Sequence, residues 1–198
     1  MKPMYTIIIL FLYSFYSFEL QAWDIVKSEN GIQVFTRDVA GSNLKEFKAI
    51  MTVDVEPDRV LSLLQNGNSM SIWWPDCIES KVISGSGTLD WKVYFMTKVP
   101  FPLENRDTIN HFMAKKDSNS KVISIQIKGI PDAVPTKLGV VRIPKLTGSW
   151  TISPKETGTE IIYQLHADPG GSIPAFVANS TVVDGPLKTF QAMKQKLK

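Results

Sequence analysis

Between Ile78 and His166 apolar and polar residues alternate with a period of two, in short runs separated by Gly, Pro and Asn. Successive side chains of a strand point to opposite faces, so this alternation describes strands with one dry and one wet face. Leu89, Trp91, Val93 and Phe95 alternate with Asp90, Lys92 and Tyr94, and Ile123, Ile125 and Ile127 with Ser124, Gln126 and Lys128. A parallel sheet is buried on both faces and needs crossover helices between apolar strands. This stretch offers neither, which predicts an antiparallel sheet covered on one side only.

Strands are expected after the Asn30-Gly31 turn (Ile32, Val34, Phe35), at 47–53, 78–84, 89–99, 107–114, 121–128, 140–143, 148–153 and 159–166. Glu56-Pro57-Asp58 opens a helix, since Pro is tolerated in a first turn, and Val60, Leu61, Leu63 and Leu64 form its apolar stripe. The cover for the dry face comes last. Ser172 is placed to cap a helix with Ile173 and Pro174 in its first turn. Phe176, Val183, Phe190 and Leu197 recur along one side, with a kink or break expected at Gly185-Pro186. The fold class is α+β: a curved antiparallel sheet wrapped around a long C-terminal helix.

Lys2, an uncharged apolar run from Met4 to Phe18 and a small residue at Ala22 follow the order of a secretory signal peptide. The run is shorter than the roughly 20 residues of a membrane-spanning helix. An exported domain from Trp23 to Lys198 is therefore expected, periplasmic or extracellular, with an uncleaved anchor as the alternative. One cysteine, Cys77, allows no internal disulfide. The net charge of +3 is spread along the chain, without the basic runs and interleaved aromatics that grip nucleic acid. A monomer that needs no cofactor is expected.

Three stretches together resemble the START family (steroidogenic acute regulatory protein-related lipid-transfer domains). They are Val99-Pro100-Phe101-Pro102-Leu103-Glu104-Asn105-Arg106-Asp107, Leu146-Thr147-Gly148-Ser149-Trp150, and Asp168-Pro169-Gly170-Gly171-Ser172-Ile173-Pro174. The resemblance implies a helix-grip fold with an internal apolar tunnel, one lipid or sterol-like ligand, and a gate formed by the last helix and nearby loops. It also implies a charged residue inside the tunnel on the strand after Arg106-Asp107. Phe112 stands there, opposite Val93, and both are apolar.

The expected tunnel is lined by Trp91, Val93, Phe95, Phe112, Ile125, Phe176 and Val183, with Asn110, Arg142 and Ser180 as its polar members. For each apolar residue, ordinary core is the competing reading. Phe101 and Pro102 form either a gate that touches a membrane or a stiff turn packed on the body. Arg106-Asp107 reads as a buried ion pair more readily than as an anion site. Gly170-Gly171 reads as a tight turn, because the phosphate-loop lysine and Rossmann spacing are absent. His111 and His166 have no neighbours at metal-ligand spacing, and Cys77 has no identifiable base. The function expected is binding, and possibly transfer, of a hydrophobic molecule. The alternatives are an enzyme (a cyclase or hydrolase of a hydrophobic substrate) and a lipid-sensing interaction module.

Overall fold

The computed structural model describes residues 22–171 and 173–198. Residues 1–21 of the expected signal peptide, and the expected helix cap Ser172, lie outside the described residues. Ten strands form one sheet: β1 (Asp24–Glu29), β2 (Ile32–Val39), β3 (Ser42–Val53), β4 (Cys77–Ser84), β5 (Asp90–Thr97), β6 (Asn105–Lys116), β7 (Ile123–Gly129), β8 (Val140–Arg142), β9 (Lys145–Pro154) and β10 (Thr159–Asp168). Their order is β1-β2-β3-β10-β9-β7-β6-β5-β4, antiparallel throughout, with β1 and β4 as edges. Strand β8 is the exception. After β7 leaves the sheet at Gly129, the chain loops out and β8 returns beside the start of β6, in parallel register from Asn105↔Val140.

The turns explain the pairing. Asn30 and Gly31 both have positive φ, the conformation that a two-residue hairpin needs, and they join β1 to β2. Strand β1 was not expected because it lacks a dry face: Ile25 and Val26 are both exposed on this edge. Gly148 is needed where β9 crosses β10, since a Cβ there would lie 2.5 Å from the Gln164 carbonyl oxygen.

Helix α1 (Pro57–Gln65) begins at Pro57 as expected and buries Val60, Leu61 and Leu64. It is followed by a short 3-10 turn (Gly67–Ser69) and α2 (Met70–Trp73), neither foreseen. This segment covers β5: a Cβ on Gly67 would come within 2.7 Å of Val93 Cγ2.

Helix α3 (Ala175–Lys196) starts later than expected, with Pro174 as its N-cap, and it runs through Pro186 without a break. An internal Pro costs ~3 kcal/mol. Burying Leu187, Phe190, Met193 and Leu197 on one side contributes about 2 kcal/mol each, enough to hold the helix across it. The helix lies over β2 and β3. Its burial is uneven: ahead of Pro186 only Ala178 is buried. Phe176 is 77% exposed, which corrects its expected inward placement. Periodicity assigned it to the apolar side of the helix, but in that first turn it is Ala178 that is buried and Phe176 that faces solvent.

Candidate functional site

A cavity of about 170 Å³ lies within the grip of the sheet, and its walls come from β4, β5, β6, β7, β9, β10 and the residues after α2 and β8. The floor is aromatic. Trp150 on β9 stacks on Tyr163 of β10 with centroids 3.9 Å apart, the two rings being opposite each other in the strand register. Trp74 closes over both, edge-on at 6.3 Å and 6.1 Å, and also meets Phe95 at 6.0 Å. Phe190 of α3 packs against Trp150 from the helix side, so the helix and the cavity share one aromatic layer. Thr97, Ile143 and Ala167, at or beside strand ends, mark one end of the cavity.

Of the residues expected to line the tunnel, Phe95, Asn110 and Phe112 do so. Trp91, Val93 and Ile125 point inward but are wholly buried in the packed core. Trp91 stacks on Phe112 at 5.0 Å, and Val93 lies under Gly67. Val183 is half-buried and Ser180 exposed, its hydroxyl donating to the Val177 carbonyl of its own helix. Neither reaches the cavity. Trp74, Leu146, Trp150, Tyr163 and Leu165 do line it and were not among the expected residues. Four of these were findable, because 146 and 150 on β9, and 163 and 165 on β10, share the period-two inward face. Trp74 was not, since it follows a helix too short for periodicity to reveal.

None of the described residues lining the cavity carries a charged side chain. Its polar groups are neutral. The Thr108 hydroxyl donates to Asn110 Oδ1 at 2.9 Å. Burial pushes the Tyr163 hydroxyl above its usual range, so it stays protonated at neutral pH. Burial likewise raises the Cys77 thiol to about 11, and it donates to the Glu79 carbonyl at 3.4 Å. Such a thiol is unreactive.

The nearby charges are engaged elsewhere. Arg142, expected as a polar tunnel residue, instead forks onto Asp107, with Nε–Oδ1 at 2.7 Å and Nη2–Oδ2 at 3.0 Å. It also donates to the carbonyls of Pro131, Val134 and Pro135, tying down the segment between β7 and β8. The expected Arg106–Asp107 pair does not form, because neighbouring strand residues face opposite ways. Arg106 donates to the carbonyls of Glu104, Pro169 and Gly170 and so fixes the turn leading to α3. Gly170 and Gly171, both with positive φ, form that turn against Val141.

His111 meets Asp90 at 2.8 Å on the surface, and His166 sits between Ser42 and the Leu44 carbonyl. Among the described residues no three His, Cys, Asp or Glu side chains gather as a metal site. A larger depression of about 450 Å³ lies on the opposite, polar face of the sheet, bordered by Glu46, Gln126, Lys128 and Gln164. The inner cavity is the more enclosed of the two and has no charged side chain in its lining, the character expected of a site for a small molecule.

The START domain profile matches residues 17–198. The chain belongs to the START-domain family. Its fold is the helix-grip fold of that family, as the resemblance implied. A solved STAR-related lipid transfer protein fragment from Xanthomonas axonopodis shares 35% identity with this START domain and superposes with a TM-score of 0.83, over 88% of this chain and 98% of that one. Bovine phosphatidylcholine transfer protein is 25% identical over 83% of this chain and 78% of its own length. A Streptomyces aromatase/cyclase, at 12% identity and a TM-score of 0.52 over 77% of this chain and 92% of that one, shares the fold alone.

Proposed function

We propose that this START domain binds a lipid or other hydrophobic small molecule in the inner cavity and carries it between membranes. The observation that supports this most directly is a largely apolar space within the curved sheet whose lining carries no charged side chain. Each methylene that leaves water for such walls contributes about 0.8 kcal/mol, whereas a neutral hydrogen bond contributes about 1 kcal/mol net. Affinity then comes from the walls and selection from the few polar groups. An enzyme on this scaffold would need titratable groups facing the substrate, and the cavity has only a neutral thiol and a neutral phenol.

A space of about 170 Å³ suits a benzene-sized guest, so a whole lipid requires the walls to part. The first half of α3 is the part most weakly held. Lys45 N–H donates to Asn179 Oδ1 at 2.9 Å, Asn179 Nδ2 donates to the Asn43 carbonyl at 3.1 Å, and Lys27 pairs with Asp184 at the surface. The second half is anchored by buried apolar side chains, so opening in this reading pivots near Gly185-Pro186. Exposed Phe101, in the β5–β6 loop with Pro102, stands at the end of the cavity marked by Thr97 and Ala167. Fully exposed Leu138 precedes β8, and Phe176 opens α3. These three side chains form the membrane-facing rim of the proposed carrier. Phe101→Asp, at a side chain 96% exposed, is expected to reduce flotation with phosphatidylcholine vesicles several-fold without altering the melting temperature. Unchanged flotation removes this loop from the membrane contact.

Native mass spectrometry and organic extraction of the purified domain test the main proposal. A stoichiometric lipid supports it, and an empty protein that turns over a hydrophobic ester replaces it with an enzyme. Export, with cleavage after Ala22, belongs to the same proposal and is tested by N-terminal sequencing of the protein from its host.

A further inference from the structure

We propose that Trp74 is the movable wall of the cavity: a lipid takes the space of its indole, which turns out toward solvent, so this one side chain sets the size of what the domain admits. The inference rests on the cavity being the lipid site. Moving α3 displaces none of the lining side chains, because none of them belongs to that helix. All except Trp74 and Ile143 stand on strands of the sheet, where ladder hydrogen bonds hold the backbone. Ile143 is pinned in the same way, its N–H donating to the Asp107 carbonyl at 2.9 Å. Trp74 is held by local bonds alone. Its N–H donates to the Met70 carbonyl at 2.7 Å, and its carbonyl accepts from the Cys77 N–H at 3.2 Å. Turning the ring about its own side-chain torsions breaks neither bond.

The local sequence explains the placement. Pro75 disfavours the helical conformation for the residue before it, and Trp74 is extended, at φ −73° and ψ 127°, which ends α2 at Trp73. The two adjacent indoles therefore part: Trp73 enters the core and Trp74 reaches over the cavity. The other aromatic walls, Phe95, Phe112, Trp150 and Tyr163, are buried, whereas Trp74 is only half-buried. It is the aromatic wall that meets both the cavity and solvent. Its ring contacts with Trp73, Phe95, Trp150 and Tyr163 are tilted or edge-on, with centroids 5.4, 6.0, 6.3 and 6.1 Å away. Each methylene of a guest chain contributes about as much as one such aromatic pair, so a chain of about ten carbons outweighs the contacts it displaces. A ring already half in solvent also has less burial to lose. An indole is larger than the benzene-sized guest that the space now holds, so its departure makes room for a chain.

The test uses the domain from Trp23 to Lys198, the whole of the expected mature chain, stripped of co-purifying lipid, with benzene and methyl decanoate as probes and calorimetry to follow binding. Tryptophan oxidation by N-bromosuccinimide, located by peptide mass spectrometry, reads Trp74 in the wild-type protein. Saturating methyl decanoate is expected to raise Trp74 oxidation several-fold. Benzene fits the space as it stands and should leave that oxidation unchanged. Trp74→Ala removes the ring that a ligand must displace, and it should bind methyl decanoate at least about tenfold tighter than the wild type. A fixed wall gives the opposite pattern: the ligand shields Trp74 or leaves it unchanged, and the alanine variant, having lost a contact, binds no tighter. Either result overturns the inference while the carrier reading stands, and so does exposure of Trp74 by benzene. If the alanine variant does not fold, the oxidation result decides alone. If methyl decanoate binds neither protein, both readings fall.

Discussion

Ala167→Trp is expected to abolish uptake of an acyl-chain probe such as methyl decanoate, by at least tenfold, while leaving the fold intact. Ala167 lines the cavity near the end of β10, on the inward face it shares with Tyr163 and Leu165, and is only half-buried. An indole at that position has room to turn into the cavity without displacing backbone, and a space of about 170 Å³ has little volume left once one is inside. The loss is steric, so it should reach probes of every polarity. Ser180→Trp is the matching control. Ser180 lies on the exposed side of α3, and an indole there should leave binding unchanged. The pair separates a ligand between sheet and aromatic floor from one held along the first half of the helix. A Ser180 variant that lost binding while the Ala167 variant kept it would move the site to the helix.

Arg142→Ala should have the largest effect on stability, a loss of about 3–5 kcal/mol. The side chains of Asp107 and Arg142 are 1% and 9% exposed, and they meet through two nearly parallel hydrogen bonds. Removing the guanidinium leaves a carboxylate buried without its partner, and also frees three carbonyls of the segment before β8. At roughly 2–4 °C per kcal/mol for a chain of this size, the melting temperature should fall by about 6–20 °C. Arg142→Met combined with Asp107→Leu removes both charges and should recover most of the loss, since a buried pair replaced by apolar side chains of similar size is often neutral. If Arg142→Ala unfolds at the wild-type temperature, the ion pair does not hold the β8 segment. Residual ligand binding at low temperature is expected in either variant, because neither residue touches the cavity.

The two placements differ in how much of them was readable beforehand. Arg142 was expected as a polar tunnel residue on a strand over 140–143 of an antiparallel sheet. Three residues cannot show a period, and β8 turned out to pair in parallel with β6 at the place where β7 has left the sheet. Phe176 failed for a different reason. Its spacing from Phe190 is correct for one helix face, yet a face is buried only where something lies opposite. Phe95 was legible because strict alternation along β5 leaves its inward side in no doubt, and Asn110 and Phe112 stand across from that inward face, Asn110 opposite Val93 and Phe112 opposite Trp91. Whether an inward residue lines a space or is packed solid was not legible. Trp91 and Phe95 stand four residues apart on one strand, and only the second meets the cavity.

The order of hydrophobic and polar residues determined the α+β class, nearly every strand and the need for a covering helix, because a chain with period two over ninety residues must give one face of a sheet a partner. The position of the cavity was decided in three dimensions. It depends on Trp74 arriving from an unforeseen short helix, on Phe190 of α3 backing Trp150, and on Trp150 and Tyr163 being opposite each other across β9 and β10. Empty volume belongs to no residue. It is what remains after every side chain has packed, and packing couples positions far apart in the chain.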